Sequence, residues 1–292
     1  MNGLVLIDKP AGCTSHDVVN RWRKLAKTKR VGHLGTLDPM ATGLLALLTG
    51  TATRLAQFYG KDDKTYCARI TFGQISDTYD AEGQIVETGA PLPTPDAVRA
   101  ALTAFTGRFL QTPPPVSAKK INGVAAYKLV RKQIPVELAP VEIEVKHLEV
   151  TSLAPDNVEI VVTCSSGSYI RSIAHDLGQN LGCGALLSRL RRTQAGEFKI
   201  ENAWTLDSLI ELADAGRLCE AVTPAAKMLA HVPAEHFNVT VETQIRQGRD
   251  FRTSPFVVPS GAPIVKALSY SGELIAIGQL KIPNLYHPGT VL

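Results

Sequence analysis

The residues with the clearest chemical potential lie between Gly32 and Gly43, in the segment GHLGTLDPMATG. Asp38 precedes Pro39, and a residue before proline is pushed out of helical geometry, so this carboxylate is expected on a turn. It is the only acid between Val18 and Lys61, and the many cations around it should lower its pKa and keep it ionised. An ionised carboxylate held on a turn can act as a nucleophile or a general base.

His33 lies on the same predicted loop as Asp38, and its flat ring could stack on a base. A turn-forming aspartate and an ordinary loop histidine would explain the same residues. Tyr66, in the segment DKTY, falls on a predicted strand, where a tyrosine belongs to the core or forms a stacking platform.

Arg171 is the second charged residue in an unusual position. It falls in the first turn of a predicted helix that begins with Ser168 as its cap and runs to Leu181. The helix dipole disfavours a cation there, so Arg171 needs a buried carboxylate or a phosphate as partner. The stretch 184–193 then mixes apolar and basic residues, as a groove against a nucleic-acid backbone would.

The elements that must position these residues follow from hydrophobic periodicity and turn residues. Strands are predicted at Leu4–Ile7, Gly43–Thr49, Tyr66–Phe72, Val141–Leu153 and Val158–Ser165. Helices are predicted behind Ser15 as N-cap, at Thr51–Tyr59, at Thr94–Phe105 with Thr94 as cap, at Ser168–Leu181 and at Leu206–Ala215. Residues 31–42 are predicted to be a loop, and residues 125–133 a short basic helix or a mobile loop. This order predicts an α+β fold with a mixed, largely antiparallel sheet.

The sequence pattern changes near His231, where predicted short strands with frequent glycine and proline replace the longer predicted elements. We therefore expect a large domain over residues 1–230 and a small β-rich domain over residues 231–292.

The charge distribution favours a nucleic-acid partner. The net charge is only +4, yet residues 18–61 hold eight Lys/Arg and one acid, and residues 111–136 hold five Lys/Arg and no acid. Arg189, Arg191 and Arg192 form a third cluster. Each cluster alone could be a solvated surface, but three acid-poor clusters in one chain point to phosphate binding.

Several other classes of protein lack support. The motifs of nucleotide-binding loops, dinucleotide folds, zinc peptidases and serine-hydrolase elbows do not occur. The apolar stretches are too short for a membrane span, and the N-terminus lacks the features of a signal peptide, so we expect a cytoplasmic protein. The five cysteines form no CxxC pair, so neither a disulfide framework nor a zinc site is expected.

Five blocks of the chain, in this order, resemble the bacterial TruB family of tRNA pseudouridine synthases. They are GLVLIDKPAGCTSHDVV, KRVGHLGTLDPMATGLL, DKTYCARITFGQISDTYDAEG, QTPPPVSAKKINGVAAYKLVR and CSSGSYIRSIAHDLGQNLGCGALLSRLRR. The resemblance covers about residues 1–215, and the tail resembles the small PUA-like RNA-binding domain of this family more weakly.

The resemblance implies the pseudouridine synthase catalytic fold and isomerisation of uridine-55 in the tRNA T-loop, with no cofactor and no metal. Asp38 matches the essential aspartate, which either attacks the nucleoside or removes a proton from its ribose. Arg171 matches its partner, and Tyr66 matches the tyrosine that stacks on the flipped base. The other matching site residues stabilise the everted loop or line the uridine pocket; they are His33, Tyr169 and Leu190.

The resemblance further implies that Lys9 and Pro10 form a structural strand end near the site and that about residues 111–135 form an insertion that clamps the T-arm. We expect tRNA as partner, no membrane and a monomer. A non-catalytic tRNA-binding or folding chaperone on the same fold is the alternative, although Asp38 and Tyr66 are both present. A glycosidase of free nucleosides or sugars is disfavoured, because such enzymes use paired carboxylates.

Overall fold

The computed structural model describes residues 1–117, 119–121, 123–126, 129, 135 and 138–292. Much of the predicted insertion at 111–135, including most of the helix or loop predicted at 125–133, lies outside the described residues. Within the described part of the chain, no helix is long and apolar enough to cross a membrane.

The helices of the described chain are α1 (Ser15–Leu25), α2 (Pro95–Leu102), α3 (Ile170–Asn180), α4 (Leu206–Asp214) and α5 (Val239–Arg246). The longer strands are β1 (Gly3–Lys9), β3 (Thr42–Thr49), β4 (Lys64–Phe72), β10 (Val141–Ala154), β11 (Asn157–Cys164), β12 (Ala185–Ala195), β18 (Leu274–Ile282) and β19 (Leu285–Val291). The shorter ones are β2 (Val31–His33), β5 (Gln74–Ser76), β6 (Ile85–Glu87), β7 (Gly107–Gln111), β8 (Lys120–Ile121), β9 (Val124–Ala125), β13 (Phe198–Lys199), β14 (Thr223–Pro224), β15 (Ala234–His236), β16 (Phe251–Arg252) and β17 (Ile264–Leu268).

Ten of these strands form one sheet, whose central path runs β14-β1-β3-β12-β4-β11-β10-β7. All neighbours are antiparallel except β12 and β3, which run parallel. The predicted α+β fold with a mixed, largely antiparallel sheet is therefore confirmed. Because β4 lies in the middle with β12 and β11 on its two sides, side chains at its start reach a place where several chain segments converge.

Side chains on the two faces of the sheet pack into two hydrophobic clusters. Strand β4 alternates between buried and more exposed residues, as period-two geometry requires. Helix α1 buries Val18, Val19 and Trp22 against one face. The other face packs against apolar residues of the C-terminal sheet, including Leu268 and Ile277.

Five local predictions are wrong in detail. The stretch 184–193 forms most of the central strand β12, because its alternating arginines pair with β4 and do not line a surface groove. Residues 50–58 form a 3₁₀-helix, and the predicted loop at 31–42 begins with strand β2. The cap of α1 is Thr14, whose hydroxyl accepts from the Asp17 amide in a capping box, so Ser15 lies inside the helix. Helix α3 begins after Tyr169 and has no side-chain cap, so Ser168 does not cap it.

The residues after 233 form a second sheet with the order β15-β17-β18-β19-β16 and a core of their own. Polar contacts from each sheet hold the segment 226–230 that connects them. Buried Lys266 donates to the carbonyls of Ala226 and Met228, and the Glu197 carboxylate accepts from the amides of Leu229 and Ala230. The domain limits at residue 230 stay a prediction.

Gly178 allows α3 to pack closely on the sheet. A Cβ atom at this position would overlap the backbone nitrogen of Ala185 at the start of β12. Alanine is usually better than glycine in a helix by about 1 kcal/mol, but overpacking a tight contact costs about 1–3 kcal/mol and should dominate here.

We therefore expect Gly178→Ala to lower the free energy of unfolding by about 1–3 kcal/mol in urea titrations. The exposed neighbour in the same helix supplies the control, since Gln179→Ala should change stability by less than about 0.5 kcal/mol. A Gly178→Ala protein as stable as wild type would show that the contact between α3 and β12 is loose.

Candidate active site

The loop between β2 and β3 carries Asp38, and two polar side chains form hydrogen bonds with its backbone. The Ser15 hydroxyl donates to the Leu37 carbonyl at 3.0 Å and accepts from the Leu37 amide at 2.8 Å. The fully buried Lys9 ammonium donates to the Pro39 carbonyl at 3.1 Å and to the carbonyls of Pro10 and Cys13. The backbone on both sides of Asp38 is thus held before any ligand binds. The implied structural role of Lys9 agrees with these contacts.

Arg171 joins two carboxylates that are distant in sequence. Its Nε lies 3.0 Å from Oδ2 of Asp38, and its Nη1 lies 3.4 Å from Oδ2 of Asp80. The guanidinium also donates to the carbonyls of Thr78 and Val116 at 3.1 and 3.0 Å. Its side chain is only 6% exposed, so these contacts replace nearly all of its water. The cation expected in the first turn of this helix therefore has carboxylate partners.

Asp80 is itself held in place from its own turn. Its side chain is 3% exposed and accepts hydrogen bonds from the Thr78 hydroxyl at 2.6 Å and the Glu82 amide at 3.0 Å. Asp80 therefore fixes Arg171 from the side opposite Asp38. With Glu82 nearby, the site holds more carboxylates than the sequence around Asp38 suggested.

The expectation that the pKa of Asp38 is lowered is wrong, because its pKa is raised. Burial raises the pKa of Asp38, the Arg171 guanidinium opposes this effect, and the negative charge of Asp80 adds to it. The cations that are near in sequence lie mostly on exposed surface, whereas the Asp38 side chain is half-buried beside Arg171 and near Asp80, and its partial desolvation has the largest effect. A carboxylate with a raised pKa is more basic and more reactive than one stabilised in water.

Asp38 lies on the wall of a cavity of about 280 Å³. Four of the predicted substrate-binding residues line the same cavity: Tyr66, Tyr169, Arg171 and Leu190. They come from β4, from the residue before α3, from α3 and from β12. The cavity combines two aromatic rings, an aliphatic side chain and a carboxylate, which suits a single flat ring attached to a polar group.

Gln111 at the end of β7 fixes the entry to α3. Its fully buried side chain donates to the Tyr169 carbonyl at 3.0 Å and accepts from the Tyr169 amide at 2.8 Å. The Ser172 hydroxyl donates to the carbonyl of Thr112, the residue after Gln111, at 2.7 Å. The described start of the predicted insertion is thereby tied to the helix that carries Arg171.

His33 does not line the cavity of about 280 Å³, although Asp38 and Arg171 line both that cavity and the one that contains His33. It lines a neighbouring, larger cavity of about 720 Å³ together with His16, Glu82 and Asp38. Burial lowers the pKa of His33, and its Nδ1 accepts from the Gly35 amide at 3.3 Å, which requires a lone pair on that nitrogen. A neutral imidazole thus stands in the larger cavity, next to the mouth of the smaller one.

Two of the three arginines of the third basic cluster are engaged within the fold, whereas Arg189 is exposed. Arg192 is buried and donates to the carbonyls of Gly35, Thr36 and Leu44, and Arg191 forms a two-fold ion pair with Asp8. The first cluster, in contrast, remains exposed on and after α1; its exposed members are Arg21, Lys24, Lys27, Lys29 and Arg30.

Sequence reasoning missed Asp80 and Gln111 as parts of the site. Asp80 stands in the segment SDTYDAEG, whose density of turn-forming residues was the available signal. Gln111 gave no signal, since a glutamine before a proline-rich stretch is usually exposed.

Comparisons with known proteins identify the family of the chain. Residues 23–170 match the model of the "TruB family pseudouridylate synthase (N terminal domain)", and residues 171–230 match that of the "tRNA pseudouridylate synthase B C-terminal domain". The chain is 48% identical to tRNA pseudouridine synthase B of Solibacter usitatus, with all of both chains covered. It is 39% identical to the protein of that name from Aquifex aeolicus, with 96% of each chain covered.

Among solved structures, the fold resembles a chain of an H/ACA RNP bound to a substrate RNA containing 2′-deoxyuridine, at a TM-score of 0.72 and 24% identity over 99% of this chain and 84% of that one. It also resembles a chain of a Cbf5-Nop10-Gar1 complex, at a TM-score of 0.71 and 26% identity over 97% of this chain and 79% of that one.

The fold is that of a pseudouridine synthase, an isomerase that acts on RNA. Within that class, the chain belongs to the TruB family, whose members make pseudouridine in tRNA.

The raised pKa of Asp38 predicts how stability depends on pH. Because the folded protein holds this proton more tightly than the unfolded chain, stability falls as pH rises from the ordinary aspartate pKa, about 3.9, through the raised value. Asp38→Asn has no carboxyl group to titrate here, so it does not lose this stability as pH rises. We expect the variant to be at least as stable as wild type at pH 7 in urea titrations, with the advantage vanishing towards pH 4.

Asp17→Asn is the control of opposite sign. Hydrogen bonds from Thr14 hold the pKa of Asp17 below its usual range, so this variant should be less stable than wild type at neutral pH, and the deficit should close as pH falls. An Asp38→Asn protein clearly less stable than wild type at pH 7 would mean that the ion pair with Arg171 outweighs desolvation.

Asp80 is expected to affect the rate through Arg171. Asp80→Asn leaves Arg171 with one carboxylate partner, and we expect single-turnover conversion of a tRNA transcript to slow by about 10–100-fold, as when other outer partners of a site residue are lost. Binding in filter assays should change little. Asp77→Asn is the matched control, because Asp77 lies in the same turn, is exposed, and accepts only from the Gln84 amide. Equal rates for the two variants would rule out this role of Asp80.

Proposed function

We propose that the chain converts uridine-55 in the T-loop of tRNA to pseudouridine and that Asp38 is the catalytic carboxylate acting at the ribose. One observation carries the proposal. A half-buried carboxylate, ion-paired with Arg171 at 3.0 Å, shares a cavity of about 280 Å³ with Tyr66 and Leu190, and this cavity suits one nucleoside.

The reaction balances without any added group. The C1′–N1 bond breaks and its electron pair leaves with uracil, while Asp38 either bonds to C1′ or takes the proton from C2′. After the base turns, C5 bonds to C1′ as the Asp38–C1′ bond breaks or as Asp38 returns its proton to C2′. The proton on C5 is then lost and N1 gains a proton, so the product is an isomer of the substrate. Both routes need the carboxylate form, which the Arg171 cation stabilises against burial.

Each of the other site residues has a separate role in holding an extruded nucleotide. Tyr66 stacks on the flipped base, a contact worth about 1–3 kcal/mol in proteins that bind single strands. Leu190 and Tyr169 line the rest of the pocket. Arg171 positions Asp38. His33, neutral and in the larger cavity, stacks within the everted loop, where a charged ring would be harder to desolvate.

The exposed cations on and after α1 support an RNA partner. They border the elements that contribute Ser15, His16 and His33 to the larger cavity, so a phosphate backbone bound there would lead into it. In this proposal residues 1–230 form the catalytic domain, residues 231–292 form a PUA-like domain that adds RNA contacts, and about residues 111–135 clamp the T-arm. We further propose a cytoplasmic monomer that needs no metal.

The test compares wild type with Asp38→Asn on an unmodified tRNA transcript under single-turnover conditions. Wild type should form pseudouridine at position 55, and replacing that uridine by cytidine should abolish product. Asp38→Asn should bind with nearly wild-type affinity and lose at least about 10⁴-fold in rate, as when the central group of other active sites is removed.

Asp207→Asn supplies the matched control, because Asp207 is exposed in the first turn of α4, does not line the cavity, and should leave the rate unchanged. Pseudouridine formed elsewhere in the tRNA would contradict the assignment of uridine-55. An active Asp38→Asn protein would contradict the role of Asp38. Binding by wild type without conversion would favour the chaperone alternative.

A further inference from the structure

Lys64 is a charged residue of the cavity, and the steps of the proposed reaction assign it no role. It lies two positions before Tyr66 on β4, so the two side chains project from the same face of the strand, and both line the cavity that contains Asp38. Lys64 is 9% exposed, and its ammonium donates to the Asp62 carbonyl at 2.7 Å. An ammonium has three donors, and one of them is committed here.

Charge is distributed unevenly within the cavity. At the Asp38 end, Arg171 is balanced by Asp38 and Asp80. At the Tyr66 end lie Lys64 and Arg192, and neither forms a salt bridge with any residue that the structure describes. A Cβ atom on Gly35 would touch both the Lys64 stem and the Arg192 guanidinium, so the two cations approach each other over this glycine.

Two cations brought together without a salt-bridged carboxylate are unfavourable unless a ligand compensates for them. The charges of Asp62 and Asp63 favour the Lys64 cation but do not reverse the net effect of its surroundings. Burial and then the Arg192 charge lower the pKa of Lys64, so the folded protein holds this proton less tightly than the unfolded chain. At neutral pH the residue therefore costs stability. Residues that destabilise a fold while lining an active-site cavity are candidates for a role in the reaction.

The proposed reaction develops charge of the matching sign at this place. When the C1′–N1 bond breaks, the ribose becomes electron-poor and uracil leaves with the electron pair, which spreads over N1, O2 and O4. With the ribose at Asp38 and the base on Tyr66, the carboxylate faces the positive end of the transition state and the two cations face the negative end.

We propose that Lys64 is a catalytic residue that stabilises the departing uracil anion through its buried ammonium. This inference rests on the proposed function. Because neutral uracil gains little from the ammonium and the anion gains much, the interaction lowers the barrier more than it strengthens binding. Arg192 raises the local positive potential, but its guanidinium also holds the carbonyls of Gly35 and Thr36, so Lys64 is the residue to test.

The experiment uses a synthetic T-arm stem-loop with either uridine or 5-fluorouridine at the target position. Glycosidic cleavage is followed as loss of the starting nucleoside after nuclease digestion, under single-turnover conditions. Lys64→Met should slow cleavage at uridine by about 10²–10³-fold with little change in affinity. Fluorine already stabilises the uracil anion, so the defect should shrink by at least about tenfold with 5-fluorouridine.

Two controls separate chemistry from folding. Lys199→Met removes an exposed lysine on β13 and should behave as wild type on both RNAs. Thermal melts should place Lys64→Met at or above wild type, because a desolvated charge is lost. If that protein nevertheless fails to fold, Lys64→Gln, which can still donate to the Asp62 carbonyl, makes the same comparison.

The outcomes distinguish the alternatives. An equal defect on the two RNAs would assign Lys64 a structural role, and a defect in affinity alone would assign it to phosphate binding; either result overturns the inference, as does a wild-type rate for Lys64→Met. In each of these cases the wild type still converts uridine and the proposed function stands. A wild type that converts no uridine would overturn the proposed function and this inference with it.

Discussion

The buried guanidinium of Arg171 is the interaction on which the site depends. Its helix begins without a side-chain cap and places a cation where the helix dipole opposes it, so the arrangement is stable only because other segments supply negative partners. Asp38 comes from the loop before β3, Asp80 from the turn before β6, and two carbonyls from the turn at Thr78 and the segment at Val116. One side chain thereby links three loops to α3. Because one guanidinium contacts both carboxylates, a change at either one alters the electrostatic environment of the other, which is why the group acts as a unit.

The rest of the framework keeps that unit from relaxing. Lys9 and Ser15 hold the backbone beside Asp38, and Gln111 holds the backbone before Arg171. Each of these contacts joins a polar side chain to a main-chain group, so they fix position and leave the side chains of the site free for a ligand. A carboxylate kept partly desolvated on a rigid loop is energetically unfavourable in the free protein, and this stored cost is available to the reaction.

The cavity is polarised along its length. Carboxylates dominate at Asp38, and cations without salt bridges in the described chain dominate around Lys64. Such a gradient matches a reaction that separates charge between a sugar and a base, and it would be less suited to binding a neutral ligand without chemistry. The catalytic proposal and the proposed role of Lys64 are therefore two readings of one electrostatic pattern.

Local patterns in the sequence determined most elements, because strand alternation and helical periodicity depend on neighbours two to four residues away. They located β1, β3, β4, β10, β11, α2 and α4, singled out Asp38, and placed the chain in its family through short motifs. Strand β12 was not predicted, because a central strand that carries three arginines, one of them buried, has no alternating apolar pattern.

Only the tertiary structure decided which distant segments touch each other and how much water surrounds the charged groups that meet there. The pairing of Arg171 with both Asp38 and Asp80, the burial of Arg192, and the position of Lys64 beside Tyr66 in a shared cavity all depend on how strands and loops converge. The pKa of Asp38 shows the limit most clearly. Its neighbours in sequence are mostly cations and suggest a lowered pKa, but burial raises it, because the free energy of a charge is set by the atoms and water around it in space.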